Sequence, residues 1–409
     1  MVEARAELAA PRPRLRLLDL LRLVAALSVV LFHYTARYNL AWSTTTPQEF
    51  WAPLSSVTAY GVLGVQLFFL ISGFVVLMTA WGADMPRYIA SRASRLYPAY
   101  WVGVILTGGF LFFDRTISIG GSWASVGPSG FLLNLTLFQS AFGVANVDGV
   151  YWTLWAELKF YALIGLLILV GLTRARVIAL AVAWPILGAF FSQFDLPIAN
   201  EILMPEYAAF FSAGMLLFVI YRDGWTTATS LALAFNWVVM IHYAFSTAIY
   251  TVYLNTLVPA NPNVIAVAYT AFLAVIVAVT QTRLARIQWA WLTVAGALTY
   301  PLYLVHEVVG WWLISRLYPA LPRVAVLLLV IAMMLGAAYL IHRFVEKPLG
   351  PRLRRSLEAA LRNLNARPPA AASPVRTTSA AEAAAAPAPD RTQDTGRPAP
   401  GSAPDLASR

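Results

Sequence analysis

Ten apolar runs, each near the length of a bilayer crossing, constrain what this chain can become. They cover residues 15–36, 59–80, 95–113, 151–171, 176–192, 205–221, 228–246, 263–280, 296–315 and 323–342. About 20 residues of helix cross a hydrocarbon core. Lipid offers no partner to a free backbone N–H or C=O, so each run has to be a helix rather than an open strand. The sequence therefore predicts an all-α, polytopic membrane protein of about ten transmembrane helices with no soluble folded domain. Composition agrees, because 59% of the 409 residues are hydrophobic and only 12% are charged, about half the charged share of soluble domains. Cysteine is absent. That removes disulfides, thiolate metal sites and a cysteine nucleophile, and leaves the redox compartment unread.

The basic residues orient the helices. Arg12, Arg14 and Arg16 precede the first run, and Arg87, Arg92 and Arg95 separate the second from the third. Arg174 and Arg176, Arg222, and Arg283 and Arg286 fill alternate connections. Arg343, Lys347, Arg352, Arg354 and Arg355 follow the last run. The opposite connections hold scattered arginines (Arg37, Arg115, Arg316, Arg323) and the acids Asp195, Glu201 and Glu206. The positive-inside rule then places both termini in the cytoplasm of a multi-pass protein of the inner or plasma membrane. The net charge of +10 becomes anchoring to the membrane surface, and no nucleic-acid partner is required. In the long connection 114–150, FLLNLTLFQSAFGV (131–144) is apolar but short for a span, and is expected to be re-entrant or interfacial. The first run is too long for a signal peptide, holds Arg22 inside it and lacks a small-x-small cleavage site, so it is expected to be retained. The domain reading is a cytoplasmic arm over 1–14, a transmembrane domain over 15–350 and a cytoplasmic tail over 351–409. From about 366 the Ala/Pro/Ser/Thr-rich composition predicts disorder. No internal repeat is visible.

An ionisable side chain inside a span is a functional hypothesis by default. In RLVAALSVVLFH (22–33), Arg22 and His33 are 11 positions apart, which is about three turns and roughly 16 Å on one helix face. Arg22 reads either as a snorkelling residue paired with Asp19 or as an anion contact facing the interior. His33 reads either as a satisfied interior histidine or as a group titrating near neutrality. In VDGVYWTLWAELKFYAL (147–163), Glu157 shares a face with Tyr161 one turn on and Thr153 one turn back. Lys159, two positions away, points elsewhere. Trp152 and Trp155 also fit an interfacial belt. Arg92 and Arg95, spaced i,i+3 in RASRLYPAYW, serve as positive-inside anchors or as a phosphate site. In YPLYLVHEVV (300–309), His306 is expected near mid-membrane on the ninth helix, with Glu307 beside it. HExxH would need a histidine at 310, where Gly310 stands, so no zinc motif is present and no metal site is expected. His242 and His342 fall near helix ends. Gly61, Gly64, Ser72 and Gly73 suit close helix packing.

In order along the chain, LDLLRLVAALSVVLFHY (18–34), GVQLFFLISGF (64–74), RYIASRASRLYPAYW (87–101), VDGVYWTLWAELKFY (147–161), YPLYLVH (300–306) and HRFVEKPL (342–349) resemble the signatures of the integral-membrane acyltransferase family three, the bacterial O-acetylase type. Gln66 stands where many members carry an acid. The resemblance covers about 340 residues and excludes the tail; the fused hydrolase-like domain of some relatives is not seen. It implies transfer of an acyl group, usually acetyl, from cytoplasmic acetyl-CoA or another acyl-CoA to a hydroxyl. The acceptor it implies is a sugar or another hydroxyl compound, and the reading favoured here is a carbohydrate of a cell-surface polysaccharide or glycolipid. It further implies His33 as the catalytic residue with Arg22 beside it, Arg92 and Arg95 at the donor, and Glu157 with Trp152 in the outer half of the site.

On this reading no cofactor is permanently bound, and the partners are the acyl-CoA, the hydroxyl acceptor and membrane lipid. Neutral His33 takes the hydroxyl proton, and Glu157, if it reaches His33, steadies the imidazolium. Thr153, Tyr161 or Tyr303 donates to the oxyanion, and His306 counts with the acceptor-side residues. An acyl-histidine relay uses the same groups. Two other readings stand beside this one: an O-acyltransferase of a macrolide or other small metabolite, and a flippase or transporter for a lipid-linked glycan. The absence of a pseudo-repeat and of a matched pair of Gly/Pro-broken helices counts against the last.

Overall fold

The computed structural model describes residues 15–42, 45–114, 123–194, 196–318 and 320–365. The expectations that rest on Arg12, Arg14, Arg115, Asp195 and the tail from 366 lie outside those residues. The described elements are helices joined by turns, with no strand among them. In chain order they are α1 (Arg16–Thr35), α2 (Gly64–Ala80), α3 (Met85–Phe113), α4 (Trp123–Asn134), α5 (Trp152–Val170), α6 (Arg174–Phe191), α7 (Pro197–Leu203) and α8 (Pro205–Asp223). They continue as α9 (Thr227–Ser246), α10 (Ala248–Thr256), α11 (Pro262–Gln281), α12 (Ala290–Val305), α13 (Val308–Leu317), α14 (Arg323–Ile341) and α15 (Lys347–Asn365). Shorter helical turns lead into α2 and α5. Among the described residues nine stretches are long and apolar enough to cross a membrane, and a bent tenth is formed by α12 and α13. The chain is an all-α polytopic membrane protein.

Helix starts follow local chemistry. Asp84 accepts a hydrogen bond from the Arg87 N–H at 3.1 Å and Pro86 sits in the first turn, so α3 begins at Met85, ten residues before the apolar run. A side-chain oxygen at the N-cap and a proline with no N–H to lose both favour initiation there. Thr173 caps α6 and Thr226 forms a capping box on α9 in the same way.

α8 is the pillar of the bundle. Every residue from Ala208 to Ile220 is buried, and the helix packs on α2, α6 and α9. Lipid tails are as apolar as the interior, so dispersion and close fit, rather than water exclusion, drive such contacts. Gly73 of α2 and Gly214 of α8 supply that fit. A Cβ on Gly73 would overlap the Phe211 carbonyl, and one on Gly214 would overlap the Leu70 carbonyl. Around the crossing, Phe211 stacks on Phe69 and Phe160 at centroid distances of 4.6 and 4.4 Å.

One feature differs from the sequence expectation. The run 296–315 is not one helix: α12 ends at Val305, α13 starts at Val308, and their axes differ by 75°. His306 and Glu307 are the joint, so His306 does not sit within a continuous ninth helix. The run 131–144, expected to be re-entrant or interfacial, forms the end of α4 and then a 3-10 turn, Gln139–Phe142. α4 itself is kinked at Gly127, whose φ is 62°.

Candidate functional site

The break between α12 and α13 gathers the most densely charged buried cluster of the described chain. Its cause lies far away in sequence. Asp148 accepts from the Val308 N–H at 3.3 Å with one carboxylate oxygen and from the Val150 N–H at 3.3 Å with the other. A carboxylate at the N-terminus of α13 satisfies a freed donor and complements the helix dipole. Tyr34 donates to the His306 carbonyl at 2.7 Å, which satisfies an acceptor at the end of α12. That approach requires Gly310, since a Cβ there would overlap the Tyr34 hydroxyl.

His33, near the end of α1, is 3% exposed and faces this joint. Its Nδ1 lies 2.7 Å from the Val29 carbonyl, which can only accept, so Nδ1 carries the proton. His306 Nδ1 lies 2.9 Å from the Tyr303 carbonyl and is protonated for the same reason, leaving its Nε2 free to face His33 Nδ1 at 3.2 Å. The rings meet edge to face, 4.8 Å apart. His33 Nε2 therefore keeps its lone pair. It accepts from Arg37 Nη1 at 3.0 Å and lies 3.6 Å from Glu307 Oε1. Arg37 and Glu307 form an ion pair at 2.7 Å. Trp311 holds the backbone in place by donating to the His33 carbonyl at 2.9 Å. Glu307 is fully buried against Gly149, where a Cβ would come within 2.6 Å of its Oε2.

A second feature is a cavity of about 1050 Å³ enclosed by α1, α2, α3, α5, α12 and the stretch from His342 to Arg362. Most of the residues singled out from the sequence line it: Arg22, Arg92, Arg95, Glu157, Thr153, Tyr161 and Tyr303. Glu157 accepts from Tyr161 at 2.6 Å and from Ser72 at 3.2 Å, so the face shared with Tyr161 is real. Glu157 makes no bond to His33; the carboxylate beside His33 is Glu307. Arg22 pairs with Asp19 at 3.7 Å and also lines the cavity. Arg92 lies over the Tyr161 ring, and Arg95 reaches Glu346 at 3.4 Å and lies over the Tyr300 ring. The lining carries eight Arg and Lys side chains against three carboxylates.

His33 and His306 do not line this cavity. Thr153 and Tyr303 do. They hydrogen-bond to each other at 2.9 Å, and the Tyr303 ring lies 5.6 Å from that of His306. The histidine pair is thus one aromatic ring beyond the cavity wall. Trp152 is on the other side of α5. It lines a separate space of about 440 Å³ with Trp155, Lys159, Glu201, Glu206 and Tyr207. There Lys159 pairs with Glu201 at 2.7 Å, which accounts for its turning away from Glu157. Among the described residues no three His, Asp or Glu side chains are grouped as metal ligands would be.

Sequence reasoning missed Arg37, Asp148, Glu307 and Glu346 as partners in these clusters. Arg37 follows His33 by four residues, a spacing that places neighbours on one helix face. Glu307 was visible as an acid inside an apolar run. Asp148 caps the local turn through the Val150 N–H, but nothing local signals its second partner, the Val308 N–H of α13.

A family model described as an acyltransferase domain matches residues 15–343. Nodulation protein 10 of Rhizobium leguminosarum bv. viciae is 28% identical over 194 residues, 42% of this chain and 49% of that protein. Acyltransferase MdmB of Streptomyces mycarofaciens is 28% identical over 151 residues, 36% of this chain and 38% of that one. A putative acetyltransferase of Acidianus two-tailed virus is 25% identical over 228 residues, 53% and 62% of the two chains. The matches thus span about half the length of these relatives. No solved structure matches.

Proposed function

We propose that this chain, which belongs to the acyltransferase domain family whose model covers residues 15–343, is a membrane O-acyltransferase using an acyl-CoA donor, with acetyl as the acyl group. The acceptor is a carbohydrate hydroxyl of the cell envelope. The observation that carries the reading is the cavity of about 1050 Å³ that joins an arginine-rich rim to the Thr153–Tyr303 pair, one ring from the histidines. The donor enters from the cytoplasmic side, with its phosphates at the arginines and its uncharged pantetheine arm passing Arg22. Guanidinium suits phosphate because it donates in a planar fork.

Once Arg37 moves off His33 Nε2 to its ion pair with Glu307, the freed lone pair takes the proton of the acceptor hydroxyl as that oxygen attacks the thioester carbonyl. Glu307, 3.6 Å from Nε2, stabilises the imidazolium, the part the sequence reading gave to Glu157. The C–S bond then breaks, and the imidazolium returns its proton to the departing thiolate. Tyr303, hydrogen-bonded to Thr153 at the cavity wall, supplies a hydroxyl donor to the oxyanion. The ring must swing out of the line between cavity and histidine for the acyl carbon to arrive. Glu157, hydrogen-bonded to Tyr161 and Ser72, shapes the middle of the donor path.

Purified protein in lipid nanodiscs, given radiolabelled acetyl-CoA and envelope glycans, tests this directly. His33→Ala is expected to abolish transfer while the protein keeps its melting temperature and helicity. A folded His33→Ala protein with full activity overturns the mechanism. Mass spectrometry of surface glycans and secreted metabolites, from cells with the intact protein or His33→Ala, identifies the acceptor.

A further inference from the structure

α15 begins at Lys347, after the last residue matched by the family model. It follows α14 through a single π-turn, His342–Glu346. Three contacts lay it antiparallel along the start of α3. Glu346 meets Arg95 at 3.4 Å, a Cβ at Gly350 would stand 3.6 Å from the Ser94 carbonyl, and Arg362 pairs with Asp84 at 2.8 Å. Leu353, Leu357 and Leu361 recur at every fourth position and are half-buried, as a docked amphipathic helix requires.

Between these contacts the helix turns Arg354, Arg355, Glu358 and Arg362 to the cavity, where Arg87 and Lys347 also lie. Arg362 is committed to Asp84 and Glu358. Among the described residues Arg87, Lys347, Arg354 and Arg355 have no carboxylate within ion-pair distance. Four cations without anions at one cavity mouth repel each other unless an anion is brought in. The donor pocket thus has more positive charge at its mouth than the Arg92–Arg95 pair provides.

We infer that α15 is a nucleotide clamp: Arg354 and Arg355, opposed by Arg87, hold the phosphates of the adenosine 3′,5′-bisphosphate end of a coenzyme A thioester, and the Arg362–Asp84 pair closes the helix over it. The inference rests on the acyl-CoA reading of the cavity and adds to it a selection for donors that carry the nucleotide over bare acyl-pantetheine. Arg92 and Arg95, farther along α3, are left to contact the remainder of the donor.

The test uses the full-length protein in nanodiscs and two readouts. Isothermal titration with adenosine 3′,5′-bisphosphate should show saturable binding, weakened about tenfold or more by Arg354→Ala/Arg355→Ala, since each lost charge-assisted bond is worth roughly a factor of ten. Arg352→Ala, on the same helix but outside the cavity lining, should leave the titration as it was. In transfer assays the ratio of KM for S-acetylpantetheine to KM for acetyl-CoA should be large and should collapse in the double variant. Binding of the bisphosphate that is absent, or equal in the intact and doubly substituted proteins, overturns the clamp. So does a KM ratio that the double variant leaves unchanged. Bisphosphate binding that is lost in the double variant, in a protein that transfers from no thioester, keeps the clamp and refutes the acyltransfer reading.

Discussion

Glu307→Gln keeps the shape of the side chain and removes its charge, which isolates the electrostatic part of the site. The structure gives the size of the effect. His33 Nε2 lies 3.6 Å from Glu307 Oε1 and 3.0 Å from Arg37 Nη1. At an effective dielectric of about 20, a protonated ring is attracted by about 4.6 kcal/mol and repelled by about 5.5 kcal/mol. The two nearly cancel, so in the proposed mechanism Glu307 offsets the arginine when the ring takes a proton. In Glu307→Gln the repulsion stands alone. If the proton is half transferred at the transition state, about 2.3 kcal/mol is felt, a loss of about 50-fold in kcat; full transfer gives about 2000-fold. Donor KM should move less than about twofold, because Glu307 does not line the cavity proposed for the donor. Glu307→Gln/Arg37→Ala removes the unopposed cation and should recover about tenfold of the lost rate, a coupling that a purely structural defect would not produce. Initial rates of radiolabelled acetyl transfer in nanodiscs, with melting temperatures measured in parallel, decide the matter. A kcat for Glu307→Gln within threefold of the intact protein, or a double variant slower than Glu307→Gln, refutes the reasoning.

Arg92→Ala and Arg95→Ala should each raise KM for acetyl-CoA by about tenfold, as expected for a charged hydrogen bond; an unchanged donor dependence removes them from the donor site. Gly310→Ala forces the Tyr34 hydroxyl from the His306 carbonyl and should cost about 2 kcal/mol or more in stability, read as a lower melting temperature in detergent. Gly73→Leu, which drives a side chain into the α8 backbone, should prevent accumulation of folded protein, seen as loss of the monodisperse peak in fluorescence-detected size exclusion. A normal peak would show that the α2–α8 crossing tolerates separation.

Much of this was legible in the sequence because membrane helices are signalled by length and apolarity alone. Nine of the ten runs find a single helix and the tenth a bent pair, and Arg22, Arg92, Arg95, Thr153, Glu157, Tyr161 and Tyr303 line one cavity. What failed to show has a common physical cause. The run YPLYLVHEVVGWW carries no glycine or proline at the joint itself, and its break is stabilised by Asp148, about 160 residues away. Glu157 appeared to be the acid for His33 because both were expected in the outer half of the membrane. A shared depth does not fix which helices are adjacent, and it is α12, packed on α1, that brings Glu307 to the ring. The resemblance pairs Trp152 with Glu157, but the two are five positions apart on α5, about 140° around the helix, and they line different spaces.

The uninterrupted burial of α8 bears on how the molecule is made. Its packing partners α2 and α6 leave the ribosome before it, and α9 leaves after it. When α8 enters the bilayer it therefore has one flank bare to lipid, and it stays so until α9 arrives. An all-apolar stretch from Ala208 to Ile220, broken only by Ser212, tolerates that interval at little cost, because acyl chains serve it nearly as well as neighbouring side chains. The central column can thus wait in the membrane as a half-built structure, and a chain released before α9 would leave its seam open to the bilayer.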